Sequence, residues 1–503
     1  MSSTDLTMAL LLGLPALAAA VLAIVPMGDQ AARRVGVAGA AAPLVVAVVV
    51  AARFDYDHGG RMQDVVNVRW LPAIDVRFHL GVDGISLPLI LLTALLTFLC
   101  AVYTLAADER IERPRPFLAL MLLLEVGVLG TFVALDLVLF FVFFEVVLIP
   151  MYFLIASWGG SARNAAATKF ILFTLLGSGL MLVGFLVLYA QAGTFDITVL
   201  TREHGHGISA GAQLLAFVLL LVGFGIKSPM WPLHTWLPDA HTEAPTVGSV
   251  LLAGVLLKMG TYGLVRIAIS AAPDGARRAA PALGVLAAIG IVYAALACLA
   301  LAQSGDLKRL IAFSSVGHMG FVLLGIATLT PVGIQGALIG NIAHGLITGL
   351  LFFLVGAVKG RFHTSDIAEL GGGLLAKLPA LGGLLLFASI ASLGLPGLAG
   401  FWGEMLAMLG AWSPAAALSR SLFLTLMAVA GLGTILTALY FVAMLRRVDF
   451  GVVTDRWREG AIADVLPGEF VAWVPLVLLA VAVGLWPSLV LGVTNAAVHG
   501  LFP

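Results

Sequence analysis

The chain has 503 residues, 61% of them hydrophobic and 11% charged, with no net formal charge and a mean hydropathy of +1.08. So little polar surface cannot face water on all sides, which excludes a soluble globular protein and identifies a membrane protein. The absence of net charge, with basic residues spread thinly and not gathered in a patch, argues against a nucleic-acid partner.

Apolar stretches of roughly 18 to 25 residues, each long enough to cross a hydrocarbon core about 30 Å thick, recur along the chain. Fourteen transmembrane helices are predicted, centred near residues 17, 45, 96, 126, 147, 179, 220, 258, 292, 318, 345, 396, 433 and 482. The expected fold class is an all-α polytopic membrane protein. No Lys or Arg precedes the first stretch, and it runs to helix length before Pro26, so it reads as a retained helix and not as a signal peptide. The long loop over residues 53 to 86 mixes Arg with Asp and has no Gly-rich phosphate cradle following a strand. No loop is large enough for a nucleotide or flavin domain, so the driving energy is expected from partners or an ion gradient. Cys100 and Cys298 fall inside apolar segments; they exclude a disulfide framework and fall short of the four thiolates an iron-sulfur cluster usually takes. Lys and Arg concentrate in the stretches near residues 33, 110, 163, 308, 360 and 447, which places those loops in the cytoplasm and both termini on the outer side.

Ionisable residues inside the apolar stretches carry the functional signal, because each costs about 2.5 to 3.5 kcal/mol at a helix centre. They are Glu125, Glu145, Lys227, Lys258, His318, His344 and Glu404, each near the middle of its stretch. Any one of them alone could be polar glue between helices. Seven at matched depth in seven segments point instead to a pathway. Burial works against the charge of a lysine and a neighbouring carboxylate supports it, so moving Glu145 relative to Lys227 would load or release a proton, with histidines relaying between stations. Such a switch needs no metal and no covalent intermediate.

The stretch "GIKSPMWPLHTWLPDAHTEAP" (225 to 245) breaks a helix: Pro229 and Pro232 lack the N–H that would continue it. Broken helices survive at membrane depth only where protein or water borders them. Lys227 stands where the helix would end, favoured by the helix dipole. His234 and His241 lie beyond the break, either as relays or as groups that hydrogen-bond the turn. A second interruption, "ASLGLPGLAGFWGEMLAML" (391 to 409), crowds glycines before Glu404. Paired breaks suggest two inverted five-helix repeats, as in secondary transporters. Helices 4 to 8 (117–270) are matched with helices 9 to 13 (281–447), with residues 1–110 preceding them and 470–503 forming helix 14. Lys227 and Glu404 would then be equivalent. "HGH" at 204 to 206 reads as a solvated turn, Lys308 and Arg309 as interfacial anchors, and Arg266 as a snorkelling helix end.

Three segments carry a family resemblance: "FFEVVLIPMYFLIASWGG", "KSPMWPLHTWLPDAHTEAPTVGSVLLAGVLLKMGTYGLVR" and "DLKRLIAFSSVGHMGFV". They resemble the proton-translocating, antiporter-like membrane subunits of NADH-quinone oxidoreductase, respiratory complex I, and the resemblance runs from about residue 80 onward. Glu404, where relatives typically carry Lys, and His344 followed by Thr348, where relatives often carry a His followed by Lys, resemble the subunit M branch. The resemblance implies Lys227 as the switching lysine, Glu145 as its carboxylate partner and Lys258 as central relay. His318 and His344 would continue the relay, Glu404 would be the terminal station, and Glu125 an addition. It also implies that NADH, FMN, iron-sulfur clusters and quinone belong to partner subunits, and that the neighbours are other membrane subunits of a complex in a bacterial plasma membrane. Competing readings are a subunit of a multisubunit sodium/proton antiporter, a hydrogenase-linked membrane subunit, and a scaffold that pumps nothing.

Overall fold

The computed structural model describes residues 3–106, 111–454, 458 and 462–502. Among these, thirteen helices are long and apolar enough to cross a membrane. The remaining expected stretch, near residue 396, is divided between two shorter helices, Pro379–Ser392 and Ala399–Trp412.

In chain order the elements are α1 (Ser3–Ile24), α2 (Asp29–Arg53), strands β1 (Gln63–Leu71) and β2 (Val76–Val82), α3 (Ser86–Ala106), α4 (Pro114–Val133), α5 (Leu137–Val146) and α6 (Leu148–Trp158). Next come α7 (Arg163–Ala192), α8 (Ile197–Glu203), α9 (Ala210–Lys227), α10 (Trp236–Glu243), α11 (Thr246–Ile269), α12 (Pro273–Ser304), α13 (Leu307–Ala327) and α14 (Pro331–Phe362). The short α15 (Ile367–Leu370) and α16 (Leu374–Lys377) lead into α17 (Pro379–Ser392), α18 (Ala399–Trp412), α19 (Arg420–Val448), α20 (Pro467–Leu485) and α21 (Ser488–His499).

The long loop is not irregular. β1 and β2 pair antiparallel, with Val66 opposite Leu80 and Asn67 opposite His79. The hairpin is tied to the start of α5 where the Leu135 amide donates to the His79 carbonyl at 2.9 Å. Its charges mask the two-residue alternation by which a strand is normally read from sequence.

Burial is graded. The apolar window of α11 is 100% buried and that of α14 94%, against 28% for α19 and 33% for α2. Helices α11 and α14 therefore form the centre, and the outer helices turn apolar side chains to lipid or neighbours. Glycines let the central helices touch: a Cβ on Gly403 of α18 would lie 2.6 Å from the Gly340 Cα of α14.

One local motif occurs twice. Asp136 caps α5 and bridges to Asp196, which caps α8; Asp306 caps α13 and bridges to Asp366, which caps α15. In each case the leucine after the first Asp donates its amide across the bridge, Leu137 to Phe195 and Leu307 to Ser365, at 2.9 and 2.7 Å. In each case the second Asp lies in a Thr-x-Asp-Ile segment whose Thr hydroxyl accepts the Asp amide. The two pairs are separated by the same number of residues along the chain.

Candidate functional site

The first break is positioned by its own side chains. Helix α9 stops at Lys227, and the exposed carbonyls of its last turn find new donors. The Phe224 carbonyl accepts from the Ser228 amide and hydroxyl, both at 2.8 Å, the Gly225 carbonyl from the Met230 amide at 2.8 Å, and the Ile226 carbonyl from the Trp236 indole at 3.0 Å. The prolines thus end the helix without leaving these acceptors orphaned. The Lys227 side chain is buried, has no hydrogen-bond partner, and lies with Nζ 4.7 Å from the centre of the Phe144 ring.

Glu145 follows Phe144 on α5. Pro150, four residues beyond Val146, removes a donor and interrupts the span between α5 and α6 at Val147. Glu145 and Lys227 are within electrostatic reach, with Ser178 beside the carboxylate, yet they form no ion pair within 4.0 Å. They are neighbours poised apart, and the Phe144 ring packs against the Lys227 ammonium.

Helix α11 passes the end of α9 closely, since a Cβ on Gly260 would stand 2.3 Å from Ser228 Oγ and 2.5 Å from the Phe224 carbonyl oxygen. This helix is irregular: π-helical turns at Leu252–Leu256 and Leu264–Ile269 flank Lys258. Such turns recur at functional sites. Lys258 is fully buried; its Nζ donates to the Ala253 carbonyl and lies 2.6 Å from Nδ1 of His344 on α14.

From His344 the row continues by contact. The His344 and His318 rings are 5.8 Å apart at 64°. His318 Nε2 meets the Ser392 hydroxyl at 2.9 Å, and Nδ1 lies 3.4 Å from Oε1 of Glu404. The other Glu404 oxygen accepts from the Thr434 hydroxyl at 3.2 Å. A cavity of about 30 Å³, lined by His318, His344, Thr348, Ser392, Gly403 and Glu404, lies between them. It has room for about one water.

The structure therefore brings Lys258, His344, His318 and Glu404 together in series, and sets Lys227 and Glu145 beside each other at the first break. His241 is buried and stacked flat on Phe352, centroids 4.4 Å apart, with neither ring nitrogen hydrogen-bonded. It is not a turn cap. His234 meets the edge of Tyr293 at 5.0 Å. Glu125 stands away from the row: it is buried on α4, neither oxygen has a hydrogen-bond partner, and its electrostatic neighbour is Cys100.

Some positions differ from expectation. Lys227 is the last residue before the first break, whereas Glu404 lies in the second turn of α18, after the second break, so the two charges do not occupy matching places. Glycines at positive φ, Gly394 and Gly397, end the second break earlier than the crowding of glycines implied. Arg266 does not snorkel: its side chain is 4% exposed and paired with Asp83, with the Tyr262 hydroxyl 3.3 Å away. Lys308 is buried and donates to the Ala244 carbonyl, and Arg309 pairs with Asp239 at 3.1 Å, so these residues link α13 to α10. Ser392 and Thr434 had no signal in the sequence beyond being hydroxyls in apolar runs. Among the described residues no group of three His, Cys, Asp or Glu is placed to hold a metal ion.

Comparison with known proteins places this arrangement. Residues 134–440 match the family described as NADH:quinone oxidoreductase/Mrp antiporter, TM. The chain is 41% identical to NADH-quinone oxidoreductase subunit M of Rhodobacter capsulatus, over 97% of this chain and 94% of that protein. It is 40% identical to an NAD(P)H-quinone oxidoreductase chain 4 of Trichormus variabilis, over 95% and 88%. Among solved structures, a chain of respiratory complex I from Thermus thermophilus with bound NADH superposes with a TM-score of 0.85 at 32% identity, covering 98% of each chain. A chain of the Mrp complex from Dietzia shares the fold, with a TM-score of 0.85 at 24% identity over 100% and 98%. With thirteen membrane-length helices among the described residues, a family match over residues 134–440 and a relative of this identity matched over nearly its whole length, the chain belongs to the NADH:quinone oxidoreductase/Mrp antiporter membrane-subunit family.

Proposed function

We propose that this chain is the antiporter-like, proton-translocating membrane subunit M of an NADH-quinone oxidoreductase. It would couple electron transfer in partner subunits to proton movement through Lys227, Lys258, His344, His318 and Glu404. The observation that carries this reading is the series of buried groups from Lys258 Nζ to the Glu404 carboxylate, with Lys258 against His344, the two histidine rings in contact, and His318 against Glu404. Histidine is suited to relay because its two nitrogens can take a proton on one side and release it on the other.

In this reading Glu145 acts on Lys227 by approach and retreat. The two interact without forming a closed ion pair, so a small movement at the α5–α6 interruption changes the field at Lys227. A proton lost from Lys227 passes towards Lys258, and each station then alters the charge felt by the next. His234 lies between the break and α10 and His241 within α10, where they would exchange protons with the cytoplasmic side. Glu125 would be an accessory site. NADH, FMN, iron-sulfur and quinone chemistry is assigned to partner subunits.

The two Asp–Asp bridges support two inverted repeats, 117–270 and 281–447. Five membrane crossings separate α5 from α13, and an odd number reverses direction. The bacterial relatives support a bacterial plasma-membrane location, and the Lys and Arg bias supports an orientation with both termini outward.

The test uses membrane vesicles carrying Lys227→Ala, with NADH-driven quinone reduction, proton uptake and assembly followed on one sample. An assembled complex that loses both activities by about tenfold or more is expected. Normal rates of both would remove Lys227 from the mechanism and favour the gradient-driven antiporter or scaffold readings.

A further inference from the structure

A buried carboxyl outside the row has no role in this scheme. Asp449 follows the last residue of α19, is 1% exposed, and neither of its carboxylate oxygens has a hydrogen-bond partner. An ionised carboxylate in such a place would be strongly penalised, so the group is held ready to carry a proton. Burial pushes its pKa up to about 7, where a carboxyl is divided between its two forms at cytoplasmic pH.

Its surroundings open two ways. Towards the membrane face, the glycine segment Gly371–Gly373 lies over it: the Leu375 amide donates to the Asp449 carbonyl at 3.1 Å and the Gly373 amide to the Phe450 carbonyl at 3.2 Å. A cavity of about 20 Å³ lined by these glycines, Lys377, Val448 and Val453 adjoins the position, with room for about one water. Gly371 and Gly373 stand at φ +64° and +93°, a backbone conformation that favours glycine. Towards the interior, Asp449 Oδ1 packs on Gly382 of α17, where a Cβ would stand 2.6 Å from it.

Seven residues further along α17, two turns and the same face, is Ser389, fully buried and with its hydroxyl unpartnered. Ser392 follows three residues later and makes the 2.9 Å contact with His318. One side of α17 thus carries three polar groups over about 15 Å, Asp449 at Gly382 and then Ser389 and Ser392, with Leu385 and Leu386 in the turn between the first two.

We propose that Asp449 is a proton-carrying residue that loads the second half of the path, taking a proton beneath the glycine segment and passing it along α17, by Ser389 and Ser392 with intervening water, to His318 and Glu404. Only O–H and N–H bonds form and break, and no electrons move. The inference rests on the proposed row through His318 and Glu404.

The experiment compares Asp449→Asn, Asp449→Glu and Ser389→Ala with Glu404→Gln in the assembled complex in vesicles, reading NADH-driven proton uptake across pH 6 to 8. Expected are a loss of about fivefold or more in Asp449→Asn, recovery of at least half in Asp449→Glu with a displaced pH profile, and a partial loss in Ser389→Ala. Normal uptake in Asp449→Asn beside its loss in Glu404→Gln would overturn the inference and leave the proposed function standing. Normal uptake in both would remove the row itself, and the inference with it. Should Asp449→Asn fail to assemble, Ser389→Ala decides: lowered uptake supports the route, and unchanged uptake overturns it.

Discussion

At the scale of single residues, the contact between Lys258 and His344 is the narrowest point of the row. Among the described residues Lys258 Nζ hydrogen-bonds the Ala253 carbonyl and His344 Nδ1, so replacing His344 by Ala leaves the lysine without its onward partner. We expect His344→Ala to lower NADH-driven proton uptake by about tenfold or more in an assembled complex. His344→Gln, which keeps a polar group without its titration, should not restore it. Equal rates in wild type and His344→Ala would mean that the 2.6 Å contact carries no proton. Gly260 is the other sensitive position. A methyl group there meets the Phe224 carbonyl, which cannot swing aside as a side chain would. Gly260→Ala should therefore push α9 from α11 at a cost of about 1 to 3 kcal/mol, read as a lower unfolding temperature of the complex.

At the scale of elements, the hairpin and the helix caps below it form an outer clasp. His79 on β2 lies 3.1 Å from Asp196, the cap of α8. Burial opposes ionisation of Asp196, but the hydrogen bond and charge of His79, with Thr198 and the Val199 amide, hold its pKa down to about 2. A carboxylate whose pKa is lowered by folding stabilises the fold above its ordinary value near 3.8 and loses that contribution as pH falls towards 2. His79→Ala should make the clasp looser at pH 7 and remove part of its acid dependence between pH 4 and 2. Faster amide exchange at Leu135 and Ile197 measures this; unchanged exchange at both pH values would assign the clasp to the backbone bridges alone.

At the scale of the whole molecule, the second half is locked by one buried pair. Arg361 at the end of α14 meets Glu469 at the start of α20 through two nitrogens and also holds the Ala463 and Asp464 carbonyls. Removing the arginine leaves Glu469 charged and buried, so Arg361→Ala should cost about 3 to 5 kcal/mol and reduce the amount of assembled complex. Normal assembly and unfolding temperature would show that the pair is dispensable. The proposed orientation is tested at His206, which is exposed in the turn between α8 and α9. A membrane-impermeant thiol reagent should label His206→Cys in intact cells; labelling only after inversion of the membrane would reverse the orientation.

The sequence alone determined that this is a many-span membrane protein, where its spans lie, and which ionisable residues stand inside them, because apolar length and the cost of a buried charge are properties of composition along the chain. It also placed the first break at Lys227, since proline acts locally on the helix that contains it. The tertiary structure decided which of those residues touch. His318, His344 and Glu404 come from three separate helices, and Glu125, equally conspicuous in sequence, meets none of them by a hydrogen bond. Arg266 and Lys308 looked like interfacial anchors because helix-end position is visible in sequence, while the Asp83 side chain and the Ala244 carbonyl that bury them come from other segments. Ser392 and Thr434 were illegible for the same reason: a hydroxyl in an apolar helix acquires a role only from the group that packing brings to it.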